Sequence, residues 1–136
     1  MHLRHPNIVP FLGATSTPFQ LVSKWMSGGS LMRYVREQPG ANLLSLLLGI
    51  AEGLNHLHSC DIVHGNLNGP SIQVDDLERA CLTDFGLSTI TPDLEPTEPA
   101  RKYYLIRYAA PEILYGEASI SKETDVYAFG MVVIEV

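Results

Sequence analysis

Two short stretches carry the side chains whose types and spacing could do chemistry. One reads His64-Gly65-Asn66-Leu67-Asn68-Gly69-Pro70-Ser71; the other ends Leu82-Thr83-Asp84-Phe85-Gly86. The carboxamides of Asn66 and Asn68 can hydrogen-bond and present dipoles, but neither can serve as a carboxylate base. Ser71 offers a short hydroxyl, a weak ligand for a hard cation. Asp84 is the carboxylate of the set.

Several elements must position these groups. Leu43, Leu47, Ile50, Leu54 and Leu57 recur at helical spacing, so 43–59 is expected to be an amphipathic helix leading into the first stretch. Within it, Gly49 and Gly53 leave room for another helix to approach closely. His56 and His58 face different sides of it and are expected to be satisfied structural histidines, not a metal pair. Ile72-Gln73-Val74 and Ala80-Cys81-Leu82 bracket a polar turn and read as a hairpin between the two stretches. Upstream, Pro6 and Asn7 set a turn into a strand, Thr15 to Pro18 a hairpin turn, and Phe19 to Ser23 the paired strand. Gly28 and Gly29 let the chain swing round, and Ser30 is placed to cap a short helix through Gln38.

Downstream, the segment from Asp84 to Ile106 is rich in Thr and Pro and acidic, which suits no regular element. Thr89, Thr91, Tyr103 and Tyr104 are its candidate phosphorylation sites. Glu112 to Tyr115 reads as a short helical turn. Ser121 and Thr124 are cap candidates for a last helix whose Val126–Val136 portion is apolar almost all round, as in a helix buried on every side.

The order of the His5-Pro6-Asn7 turn, the Lys24–Leu31 connection, the His64 loop, Asp84-Phe85-Gly86, Ala110-Pro111-Glu112 and the Asp125 helix resembles a protein kinase domain, in its tyrosine-kinase-like group (fungal-type or similar). The resemblance implies an α+β, protein kinase-like fold, present in part. Residues 1–26 would supply the last strands of the N-terminal lobe and the hinge. Residues 27–136 would supply the first half of the helical C-terminal lobe, through its central buried helix. It further implies an ATP site at Ser23, Trp25, Met26 and Gln73, with Ser23 at the gatekeeper position and main-chain groups near Met26 facing the adenine edge. Asn66 would occupy the base position, Asn68 the lysine position and Ser71 a metal-ligand position, all three substituted, while Asp84 keeps the type of a magnesium ligand. Phe11, His64 and Phe85 would stack through the core. Gly86 and Glu112 would complete their turns, and Asp125 would brace the loop from behind.

The Gly-rich loop, strand lysine and regulatory-helix glutamate of the family would lie upstream of Met1, so ATP and Mg2+ binding is expected to be weak or absent. The expected function is a pseudokinase fragment in signalling or scaffolding, with a protein partner or protein substrate. An active kinase passing the ATP γ-phosphate to a protein hydroxyl, and a non-functional truncated product, are the alternatives. A net charge of -6 argues against nucleic acid. No run is long and apolar enough for a membrane span. The cysteines Cys60 and Cys81 suit a reduced, cytoplasmic setting.

Overall fold

The computed structural model describes residues 3–85 and 106–136. The β-favouring residues on either side of Thr17-Pro18 form an antiparallel hairpin, β1 (Phe11–Ser16) with β2 (Phe19–Ser23). Ser16 pairs with Phe19 at its tip, and the Thr15 hydroxyl donates to the Pro18 carbonyl at 2.7 Å. From β2 the chain crosses to a second, three-stranded sheet of order β3-β4-β5, built from Gly29–Ser30, Ile72–Val74 and Ala80–Leu82. The hairpin expected at Ile72–Leu82 is therefore present, with Gln73 paired to Cys81.

Helix α1 (Leu31–Glu37) begins after Ser30 as expected, although the Ser30 side chain makes no capping bond. Helix α2 (Leu43–Ser59) has the bounds its periodicity predicts. Asn42 caps it by accepting from the Ser45 N–H at 3.0 Å. Its far end closes with paired bonds, Asp61 N–H to the His58 carbonyl and Ile62 N–H to the Leu57 carbonyl, with Asp61 at φ +57°. A short turn α3 (Pro111–Leu114) precedes α4 (Lys122–Glu135), which opens on a reciprocal cap between Ser121 and Thr124. The core forms where α1, α2, β4, β5 and α4 meet, around Leu31, Ile50, Leu57, Ile72, Leu82 and Val132.

The structure corrects several expectations. Phe11 is 61% exposed and takes no part in a core stack, because β1 and β2 pair only with each other among the described residues. Helix α4 buries one face, through Thr124, Asp125, Ala128 and Val132; Val126, Tyr127, Val133 and Ile134 are exposed, because no described element packs over them. Gly49 and Gly53 admit the Asn7 turn, not another helix. A Cβ on Gly49 would meet Asn7 Nδ2 at 2.5 Å, and one on Gly53 the Asn7 carbonyl at 2.6 Å. That contact lets Asn7 bridge to β5, donating from Nδ2 to the Ala80 carbonyl at 2.8 Å and accepting from the Leu82 N–H at 2.8 Å.

Glycine in a helix therefore has opposite consequences at two positions. Gly53→Ala is expected to lower unfolding stability by about 1–3 kcal/mol, since backbone must shift to admit the methyl. Gly130, in α4, has nothing within 4 Å of an added Cβ. Gly130→Ala is expected to raise stability by up to about 1 kcal/mol, through helix propensity alone. Urea titrations of both variants check the two signs.

Candidate functional site

The Asp125 carboxylate fixes the polar loop. It sits in the first turn of α4, is almost wholly buried, and accepts from the His64 N–H at 2.8 Å on Oδ2 and from the Gly65 N–H at 2.8 Å on Oδ1. His58 Nε2, on α2, lies 2.8 Å from Oδ2. A carboxylate can only accept, so His58 carries its hydrogen on Nε2. This anion thus gathers α2, the loop and α4.

His64 lies behind the loop with its ring fully buried. Its Nδ1 accepts from the Asn66 N–H at 3.2 Å, which leaves the neutral ring's hydrogen on Nε2; that atom has no partner among the described residues. Burial pushes His64 down to about 4, against the opposing pull of the Asp125 carboxylate. Phe85 meets the His64 ring edge-on at 6.4 Å, so this half of the expected stack forms without Phe11. Like His64, His56 has an Nε2 buried without a partner among the described residues, so it is not the satisfied histidine expected.

Asn66, Asn68 and Ser71 are linked by hydrogen bonds through Asn68. Asn68 Nδ2 donates to the Asn66 carbonyl at 2.7 Å and to Asn66 Oδ1 at 3.2 Å. Asn68 Oδ1 accepts from the Ser71 N–H at 3.0 Å. The Ser71 hydroxyl bonds both ways to the Asn68 main chain, at 2.9 Å to each atom. The pair forms a reciprocal cap on the 3-10 turn Gly69–Ser71 that delivers the chain into β4. The Asn-x-x-Ser spacing is the sequence signal that could have revealed it. Asp84 follows close by, since the Thr83 N–H donates to the Ser71 carbonyl at 2.9 Å. Asp84 holds φ +59°, a backbone region uncommon outside glycine but tolerated by aspartate.

Ser23, Trp25, Met26 and Gln73 come together on one cleft of about 330 Å³, which Val9 and Thr83 also line. Met26 is buried, whereas the Trp25 ring is 86% exposed. Gln73 is held by its own bond to the Pro70 carbonyl at 3.0 Å. The Met26 carbonyl is engaged by the Gly29 N–H at 3.2 Å, while its N–H forms no hydrogen bond among the described residues. Asn66 and Asn68 line a separate hollow of about 220 Å³ with Tyr108, Ile113 and Thr124.

Sequence reasoning had no role for Tyr108. Its hydroxyl donates to the Glu135 carboxylate, and burial, then that carboxylate, push it up to about 12. Glu112 stands in the first turn of α3. Gly86 and the hydroxyls of Thr89, Thr91, Tyr103 and Tyr104 lie outside the described residues. Among the described residues no cluster of three or more His, Cys, Asp or Glu could hold a metal ion, and no helix is long and apolar enough to cross a membrane.

A family profile for protein tyrosine and serine/threonine kinases matches residues 1–136. The chain is 32% identical to the probable LRR receptor-like serine/threonine-protein kinase IRK of Arabidopsis thaliana, over 98% of this chain and 15% of that protein. It is 33% identical to the dual specificity protein kinase splA of Dictyostelium discoideum, over 98% of this chain and 6% of that protein. It is 36% identical to the Arabidopsis thaliana serine/threonine-protein kinase CTR1, over 98% and 17%. The chain thus spans less than a fifth of the length of each of these relatives.

The buried imidazole makes stability pH-dependent. His64 binds its proton less readily folded than unfolded, so its contribution is complete above 6.5 and is lost as pH falls from 6.5 towards 4. The loss at the acid end is expected to be on the order of 3 kcal/mol. Urea unfolding from pH 7 to 4 should show it, and His64→Phe should flatten the profile. Parallel profiles for the two proteins would exclude His64 as its source.

Proposed function

This chain belongs to the protein kinase family, and we propose that within it the domain is a pseudokinase, one that binds a protein partner in signalling or scaffolding instead of transferring phosphate. The observation that carries this reading is the closed set of bonds among Asn66, Asn68 and Ser71. Phosphoryl transfer consists mainly of positioning and charge stabilisation. It needs a group to take the substrate's proton, a cation beside the moving phosphate and ligands for the metal. Asn66 supplies no base, whose contribution is about 10²–10⁴-fold in rate. Asn68 brings no cation, and its carboxamide is occupied in holding Asn66 and capping the turn. The Ser71 hydroxyl is engaged on both sides by Asn68 and lies in a buried residue, so it does not fit a metal ligand as it stands.

The base side of a nucleotide fits better. Kinases generally use ATP with Mg2+, and the cleft at Ser23, Trp25, Met26 and Gln73 offers about 330 Å³ and the unbonded Met26 N–H to a base edge. With Asp84 retained, that fit favours a second reading, an active kinase acting on a protein hydroxyl. We assign residues 1–26 to the end of an N-terminal lobe and hinge, and 27–136 to the C-terminal lobe. We place the protein in the cytoplasm on its two free thiols, Cys60 and Cys81.

One titration separates the readings. Melting temperature is followed against ATP, with and without Mg2+. The expected outcome is a shift below about 1 °C at millimolar nucleotide, with no gain from the metal. ATP turnover that disappears in Asp84→Ala would establish the second reading instead.

A further inference from the structure

The Asn7 turn carries a pair of titratable rings that the site does not use. His5, at the start of the turn, stacks on His56 of α2 with centroids 4.8 Å apart and planes 22° from parallel. His5 Nδ1 accepts from the Asn7 N–H at 3.1 Å, and the His5 carbonyl accepts from the Ile8 N–H at 3.1 Å. From there the turn is tied to β5 through Asn7 and through the Val9 N–H, which donates to the Leu82 carbonyl at 2.9 Å. Val9, itself buried, lines the cleft at Met26. The stacked rings therefore stand at one end of a short, continuous run of bonds whose other end reaches that cleft.

We propose that the His5–His56 stack is an acid-released latch, which clamps the Asn7 turn and the Val9 wall of the cleft at neutral pH and loosens both as it takes up protons. Three features give the latch its sign. A proton on His5 Nδ1 converts the acceptor of the Asn7 N–H into a donor, so that bond is lost and two donors face each other. The charge that this proton brings lies over the His56 ring, whose centroid is 4.8 Å away. His56 Nε2 is already buried without a partner among the described residues, so nothing there is arranged to receive a cation.

Other groups nearby set the balance. Glu52, one turn before His56 on α2, pulls the other way and favours a charged His5; burial and the neighbouring His56 outweigh it and hold His5 below its ordinary value. On the β5 side, the Cys81 thiol donates to the Pro6 carbonyl at 3.3 Å. Burial pushes that thiol up to about 11, so it stays neutral throughout the range in which histidine titrates. The latch needs no nucleotide and stands apart from the question of phosphate transfer.

The test uses the whole chain and amide hydrogen exchange, corrected for the intrinsic pH dependence of exchange. The amides are Val9 on the turn and Leu82 on β5, with Ile50 inside α2 and Val132 inside α4 as internal references. Between pH 7 and 5.5, protection at Val9 and Leu82 is expected to fall about tenfold more than at the reference amides. In His5→Asn/His56→Phe, which keeps an acceptor and a stacking ring but cannot titrate, that excess fall should vanish. Should the double variant not fold, the His5 ring signal of the unaltered chain and of His56→Phe gives an independent reading by NMR. Its midpoint is expected to rise in His56→Phe. An equal fall at all four amides, an excess fall that persists in the double variant, or an unchanged His5 midpoint would each overturn the latch.

Discussion

One buried carboxylate organises the functional half of this molecule. Asp125 takes two main-chain N–H groups from a loop that has no regular structure of its own and an imidazole N–H from α2. Such an anion is tolerable in the interior only when its oxygens are satisfied, and here donors from two separate elements satisfy it. The dependence runs both ways. Without the loop and His58 the carboxylate would be an unpaired buried charge, and without the carboxylate the loop would have no fixed height above the core. The reciprocal cap between Ser121 and Thr124 sets where α4 begins, and thereby where the anion sits.

Above that anchor stand Asn66, Asn68 and Ser71. In this chain their polar atoms meet one another and the main chain of a 3-10 turn. A loop satisfied internally is pre-organised without a ligand and has little to gain from one. The cleft at Met26 is different: Ser23, Trp25, Met26 and Gln73 converge there, with the Met26 N–H turned to no described acceptor. The two places thus differ: the Asn66–Ser71 loop is closed on itself, and the cleft at Met26 is open.

Much of this was legible in the sequence, for reasons that differ from element to element. Helix α2 has a clean apolar stripe and a polar cap, so both of its ends could be read. The β4–β5 hairpin is local, and local pairings leave local signals. Phe11 and the outer face of α4 were misread because apolar side chains state a demand for cover, while the supply depends on distant elements. Gly49 and Gly53 showed that something approaches closely, but not that the visitor is the turn at Asn7. The stacking of His5 on His56 could not be foreseen, since no spacing rule links residues so far apart. The bond between Tyr108 and Glu135 was missed for the same reason.

The uncovered faces have a colloidal consequence. Val126, Tyr127, Val133 and Ile134 on α4, and Phe11, Leu12, Leu21 and Val22 on the hairpin, present hydrocarbon to water on a particle whose charge is -6. Mutual repulsion between such particles is long-ranged in dilute buffer and is screened within about 8 Å at physiological ionic strength. Adding salt strips away that electrostatic cushion while strengthening the attraction between greasy patches. Apolar exposure of this kind favours association more strongly as ionic strength rises.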